Sequence, residues 1–158
     1  MTNPTRREVA LASLALGVAG TGRAEAQTMT SLDNASLAEI LDDLASRKVT
    51  PTELTRGYLA RIEAYDRKVP ALNSVREVNP DAAVIANRLD PIKPSAKQPL
   101  AGVPILVKDN IATGDKQHTT AGSLALEDAR AKGDATVIKQ LRDAGAVILG
   151  KANLTEFA

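Results

Sequence analysis

Lys108 closes the run Leu100-Ala101-Gly102-Val103-Pro104-Ile105-Leu106-Val107 and is followed by Asp109 and Asn110. So apolar a run predicts a strand buried on both faces. Burial there strips water from the ammonium and favours the neutral amine. A neutral amine accepts a proton, which a solvated lysine near its ordinary pKa does poorly. The residues alone leave a second reading open: an ordinary strand-end lysine paired with a carboxylate, Asp109 being the nearest. A close carboxylate would hold the amine protonated, so a role as base requires Asp109 to point away from Lys108.

A second cluster of reactive side chains lies at Thr119-Thr120-Ala121-Gly122-Ser123. Three hydroxyls beside a glycine can line a pocket or order a neighbouring lysine, and the same composition is common turn chemistry. No base partner for Ser123 is evident, so it is not read as a nucleophile. His118 is the only histidine and cysteine is absent, which argues against an imidazole- or thiolate-rich metal site and against a disulfide. His118 is expected to be solvated in the loop from Gly114. Lys151, in Gly150-Lys151-Ala152-Asn153, is expected to be a solvated charge at the end of a strand. Neither a Walker-type loop nor GxGxxG occurs, so a nucleotide cofactor is not supported.

Three segments, PLAGVPILVKDNI, TTAGS and AGAVILGKANLTEFA, together resemble the amidase signature family in order and spacing, over about Ser36 to Ala158. The resemblance implies an α/β fold: the N-terminal part of a mixed sheet with covering helices. It also implies hydrolysis of a small-molecule carboxamide by a Ser–cisSer–Lys triad, with no metal and no cofactor. Lys108 matches the family's catalytic lysine. The family's bridging and nucleophilic serines lie in a Gly/Ser-rich segment downstream of Ala158, so residues 27–158 are expected to be the front of an amidase domain, inactive alone. Thr119, Thr120, Gly122 and Ser123 are the candidate substrate-binding residues. Asn153 and Glu156 match a family segment near the catalytic centre, in structural roles. Two other readings stand beside the hydrolase. One is a non-catalytic interaction module that binds a polypeptide through an open sheet edge. The other is the family's A-type amidotransferase component, which serves glutaminyl-tRNA formation in the cytosol.

The N-terminus is a separate object. Thr5-Arg6-Arg7 precedes an apolar stretch from Val9 to Ala19, and Ala24-Glu25-Ala26 offers small residues at the positions a signal peptidase reads. Residues 1–26 therefore read as a twin-arginine-like signal peptide, with export to the periplasm or beyond. The apolar stretch is too short for a permanent membrane span. The net charge of +1 over 158 residues, with no basic stripe, does not suggest nucleic-acid binding.

The elements that must position these residues follow from caps and periodicity. Ser36-Leu37-Ala38-Glu39 and Thr50-Pro51-Thr52-Glu53 are capping boxes. They predict a helix over Leu37–Ser46 and a second one with the stripe Leu54, Tyr58, Ile62 and Tyr65, the pair antiparallel across a short link. A strand within Leu72–Val78, a helix over Pro80–Leu89 and a loop over Asp90–Pro99 come next. Strand Val103–Val107, a helix over Ala135–Ala144 capped by Asp134 and stopped by Gly145, and strand Ala146–Leu149 form a parallel βαβ unit. Cleavage after Ala26 is the expected processing event; N-terminal sequencing of the exported chain should begin at Gln27, and an intact Met1 would overturn it.

Overall fold

The computed structural model describes residues 34–68 and 70–155. The expected signal peptide (1–26) and Glu156 lie outside them. Both capping boxes form. At helix α1 (Leu37–Ser46), Ser36 Oγ accepts from the Glu39 amide at 3.3 Å, and Glu39 accepts from the Ser36 amide at 2.7 Å. At α2 (Pro51–Arg61), Thr50 and Glu53 exchange the same pair of bonds at 3.1 and 2.8 Å. Asp90, in the Pro-rich loop, adds a third cap there by accepting from the Thr52 amide at 2.9 Å and its hydroxyl at 2.8 Å.

Two expectations about α2 give way. Its principal packing partner is α3 (Ala82–Leu89), not α1. The helix also widens into a π turn over Ile62–Asp66. The wider turn breaks the 3.6-residue stripe, leaving Tyr65 56% exposed while Leu54 is fully buried. Asp66 is buried instead and accepts from the Ser74 amide (2.6 Å), the Ser74 hydroxyl and the Val75 amide (3.2 Å). A carboxylate thus fixes the entry to strand β1 (Val75–Val78).

Strands β2 (Pro104–Lys108) and β3 (Val147–Ala152) complete a mixed sheet of order β1-β3-β2. β2 and β3 are parallel, as the βαβ reading predicts, with α4 (Thr136–Asp143) between them in sequence. β1 is antiparallel to β3. Central β3 is covered on both faces. Val147 and Leu149 pack with Ala82, Ala86 and the α2 side chains Tyr58 and Leu59. Ile148 packs with Val107 and Ile138 of α4. Gly145 stops α4 with φ +89°, and a β-carbon there would meet the Ala101 Cα at 2.8 Å.

Three boundaries differ from the sequence reading. Asn79 donates to the Ile148 carbonyl (2.8 Å) and accepts from the Asp81 amide (2.9 Å), which delays the start of α3 to Ala82. Asp134 does not cap α4, where Ala135 holds that position. Its carboxylate accepts from the Gly114 amide (2.7 Å) and pairs with Arg142 (3.0 Å). β3 runs three residues past Leu149. No helix among the described residues is long and apolar enough to cross a membrane.

Hydrogen bonding, above all from the Ser74 hydroxyl, lowers the Asp66 pKa from the usual aspartate value. The stability this supplies is present above about pH 4 and is lost as pH falls through the lowered folded value. Asp66→Ala leaves buried N–H groups unpaired and should cost about 2 kcal/mol in urea unfolding at pH 7. The difference from the unsubstituted chain should shrink in acid.

Candidate functional site

Two β-bulges decide which side chains meet at the far end of β2 and β3. Ile105 pairs with Ile148, but Leu106 pairs with Gly150, so Leu149 is an extra residue on β3. Strict alternation would send Lys151 to the face of Leu149. The bulge places it opposite Val107, on the α4 face with Ile148. On β1 the pairs Val75–Ala152 and Glu77–Lys151 leave Arg76 as the extra residue. Such bulges re-aim side chains, and Arg76 Nε lies 3.7 Å from the Asp109 carboxylate.

Lys151 is consequently not a solvated strand-end charge. It is fully buried, on a strand that continues beyond it and in a sheet with a neighbour on each side. Its amine donates to the Ile111 carbonyl at 2.6 Å and to the Thr119 hydroxyl at 3.2 Å. Among the described residues it has no carboxylate within ion-pair distance, and burial lowers its pKa despite Asp109, Asp115 and Glu77.

Lys108 differs from expectation in the opposite sense. It is exposed, and its ammonium has no hydrogen-bond or ion-pair partner among the described residues. β2 is an edge strand with one covered face: Val107 is buried, whereas Leu106 is 39% exposed. Asp109 does turn away from Lys108. Fully buried, it accepts from the Thr120 amide at 3.2 Å and from the Thr120 hydroxyl in a short bond. Its other oxygen, Oδ1, is buried without a partner.

The Thr119–Ser123 segment forms a turn, with the Ser123 amide donating to the Thr120 carbonyl at 3.0 Å. Thr120 is fully buried and Ser123 is 7% exposed. Gly122 is exposed and its amide donates to the Thr120 hydroxyl at 3.2 Å. The Thr119 and Thr120 hydroxyls are thus engaged by Lys151 and Asp109. Asn153 donates to the Asn73 carbonyl at 2.9 Å, a structural tie between β1 and the end of β3.

His118 is half-buried, not solvated. Glu77 accepts from its amide at 2.8 Å and meets its Nδ1 at 3.0 Å, while Arg130 approaches Nε2 at 3.3 Å. An arginine only donates, so the neutral ring with its proton on Nδ1 satisfies both contacts. Sequence reasoning missed Lys151, Arg76 and Glu77. The one available signal was Gly150 inside an otherwise β-branched and aliphatic strand, a mark of bulges and close backbone approach.

A family model described as Amidase matches residues 53–158. A probable amidase of Arabidopsis thaliana is 40% identical over 150 residues, which is 92% of this chain and 29% of the relative. The A-type component of the glutamyl-tRNA(Gln) amidotransferase of Nitratidesulfovibrio vulgaris is 44% identical over 131 residues, 82% of this chain and 26% of the relative. Among solved structures, the peptide amidase of Stenotrophomonas maltophilia superposes with TM-score 0.74 at 42% identity, covering 80% of this chain and 26% of that one. An amidase family protein of Bacillus anthracis gives TM-score 0.80 at 38% identity, covering 89% and 28%. The chain spans between a quarter and a third of the length of these relatives.

The lowered pKa of Lys151 fixes the sign of a pH effect. Between that value and the ordinary 10.5, the unfolded chain holds a proton at this site that the folded chain has released. The cost of burying the charge is therefore complete below the lowered value and relieved as pH rises through the window. Urea unfolding at pH 7 and pH 9.5 should show the unsubstituted chain gaining stability relative to Lys151→Met at the higher pH.

Proposed function

Because the chain belongs to the amidase signature family, we propose that it supplies the lysine base of a Ser–cisSer–Lys site that hydrolyses small-molecule carboxamides. What supports this reading is the family match over residues 53–158, within which Lys108 ends strand β2 and the adjacent carboxylate is held by Thr120. Lys108 is exposed, and among the described residues no carboxylate pairs with it. The desolvation that favours its neutral form would come from polypeptide covering the open face of β2. Neutral Lys108 draws a proton through the bridging serine from the nucleophilic serine, and later returns it to the leaving amine. Both serines belong to the part of the family's length that this chain does not span. No step calls for a metal or cofactor. The twin-arginine-like N-terminus supports work in the periplasm or outside the cell.

The likeness to A-type amidotransferase components, 44% in one relative, favours a second reading. There, ammonia released by the same hydrolysis passes to an acceptor instead of to solvent. Free ammonia without an acceptor distinguishes the hydrolase from the transferase.

The 158-residue chain alone should release no ammonia from a panel of small amides; Lys108-dependent release would overturn the assignment of the serines elsewhere. In a polypeptide that continues through the Gly/Ser-rich segment, Lys108→Met should lower kcat by on the order of a thousandfold or more. In the 158-residue chain, where Lys108 is exposed, the same substitution should change the unfolding free energy by no more than about 0.5 kcal/mol.

A further inference from the structure

An amine buried against two neutral oxygens is an expensive way to fill space. A methionine would fill much of the volume of Lys151 without dehydrating a charge, and replacing buried ionic groups by apolar ones is often neutral or stabilising. What only the amine supplies is several N–H donors at the end of a long stem. Here two of them join points far apart in the sequence, the Ile111 carbonyl and the Thr119 hydroxyl.

Both points bracket the site. Ile111 closes the turn that begins at Lys108, its amide donating to the Lys108 carbonyl at 2.9 Å. Thr119 opens the hydroxyl turn, and the next residue, Thr120, holds Asp109. The Asp109 amide in turn donates at 3.0 Å to the carbonyl of Ala152, the neighbour of Lys151. The bonds make a closed circuit from Lys151 to Ile111, back through the turn to Lys108 and Asp109, and across to β3. We propose that Lys151 is the positioning residue of this site: its buried amine clamps the Asp109–Ser123 segment and so fixes the strand end that presents Lys108. The consequence for Lys108 rests on the hydrolase reading; the clamp itself does not.

The test uses the whole 15N-labelled chain and three variants. Thr119→Val keeps the shape of threonine and removes the hydroxyl, Thr119→Ser keeps the hydroxyl, and Lys151→Met removes the amine. Amide hydrogen exchange at pH 7 is read at Ile111, Thr120 and Ser123, with Leu54 in α2 as the internal reference. Thr119→Val and Lys151→Met should accelerate the three site amides about tenfold or more relative to Leu54, and Thr119→Ser should restore exchange to within about twofold of the unsubstituted chain. The Lys151 15Nζ resonance should shift in Thr119→Val and return in Thr119→Ser. Should Thr119→Val exchange like Thr119→Ser, or accelerate Leu54 as much as the site amides, the clamp is wrong. If Lys151→Met does not fold, the threonine pair decides alone. Exchange needs no substrate, so its failure removes the clamp and leaves the hydrolase reading. Absence of amide hydrolysis by a polypeptide that continues through the Gly/Ser-rich segment does the reverse.

Discussion

A β-carbon at position 150 would collide with the carbonyl of Glu77, and Gly150 alone lets β1 come this close to β3. The close approach coincides with the bulge at Leu149, and together they settle the geometry of the site. They turn Lys151 to the α4 face and bring Glu77 opposite it across the ladder. Glu77 then grips His118, Lys151 grips Thr119, and the long polar loop is held from both ends. An uninterrupted strand would put the Lys151 side chain on the apolar face of Val147 and Leu149.

What was legible in the sequence was local chemistry. Ser36–Glu39 and Thr50–Glu53 announce their helices because a capping box needs only residues three apart. The parallel pairing of β2 and β3 follows from the helix between them. The errors share one cause: burial and facing are set by partners remote in sequence. Lys108 reads as buried because its strand is apolar, but among the described residues β2 has no second neighbour. Lys151 reads as solvated because the aliphatic run stops at Leu149, but the ladder continues on backbone bonds that are indifferent to side-chain type. Tyr65 fits a 3.6-residue stripe that the π turn interrupts, and Asp66 takes its place inside.

The candidate site accordingly has two lysines in opposite conditions. One is dehydrated, bonded and held; the other is exposed at the sheet edge. The desolvation argument made for Lys108 describes the physical state of Lys151. Lys151 is held by contacts within the chain, whereas Lys108 is exposed at the end of β2.

Glu77, placed on a four-residue strand, also sets an order of events. The loop that carries His118 and Thr119 takes its holding groups from residues about forty positions before it and thirty after it. Closing two such spans costs chain entropy before either yields a bond. The helices can nucleate from neighbours, but this loop has to wait until β1 and β3 have met. Its geometry is borrowed from the sheet, so whatever disturbs the pairing of β1 with β3 reaches this loop as well.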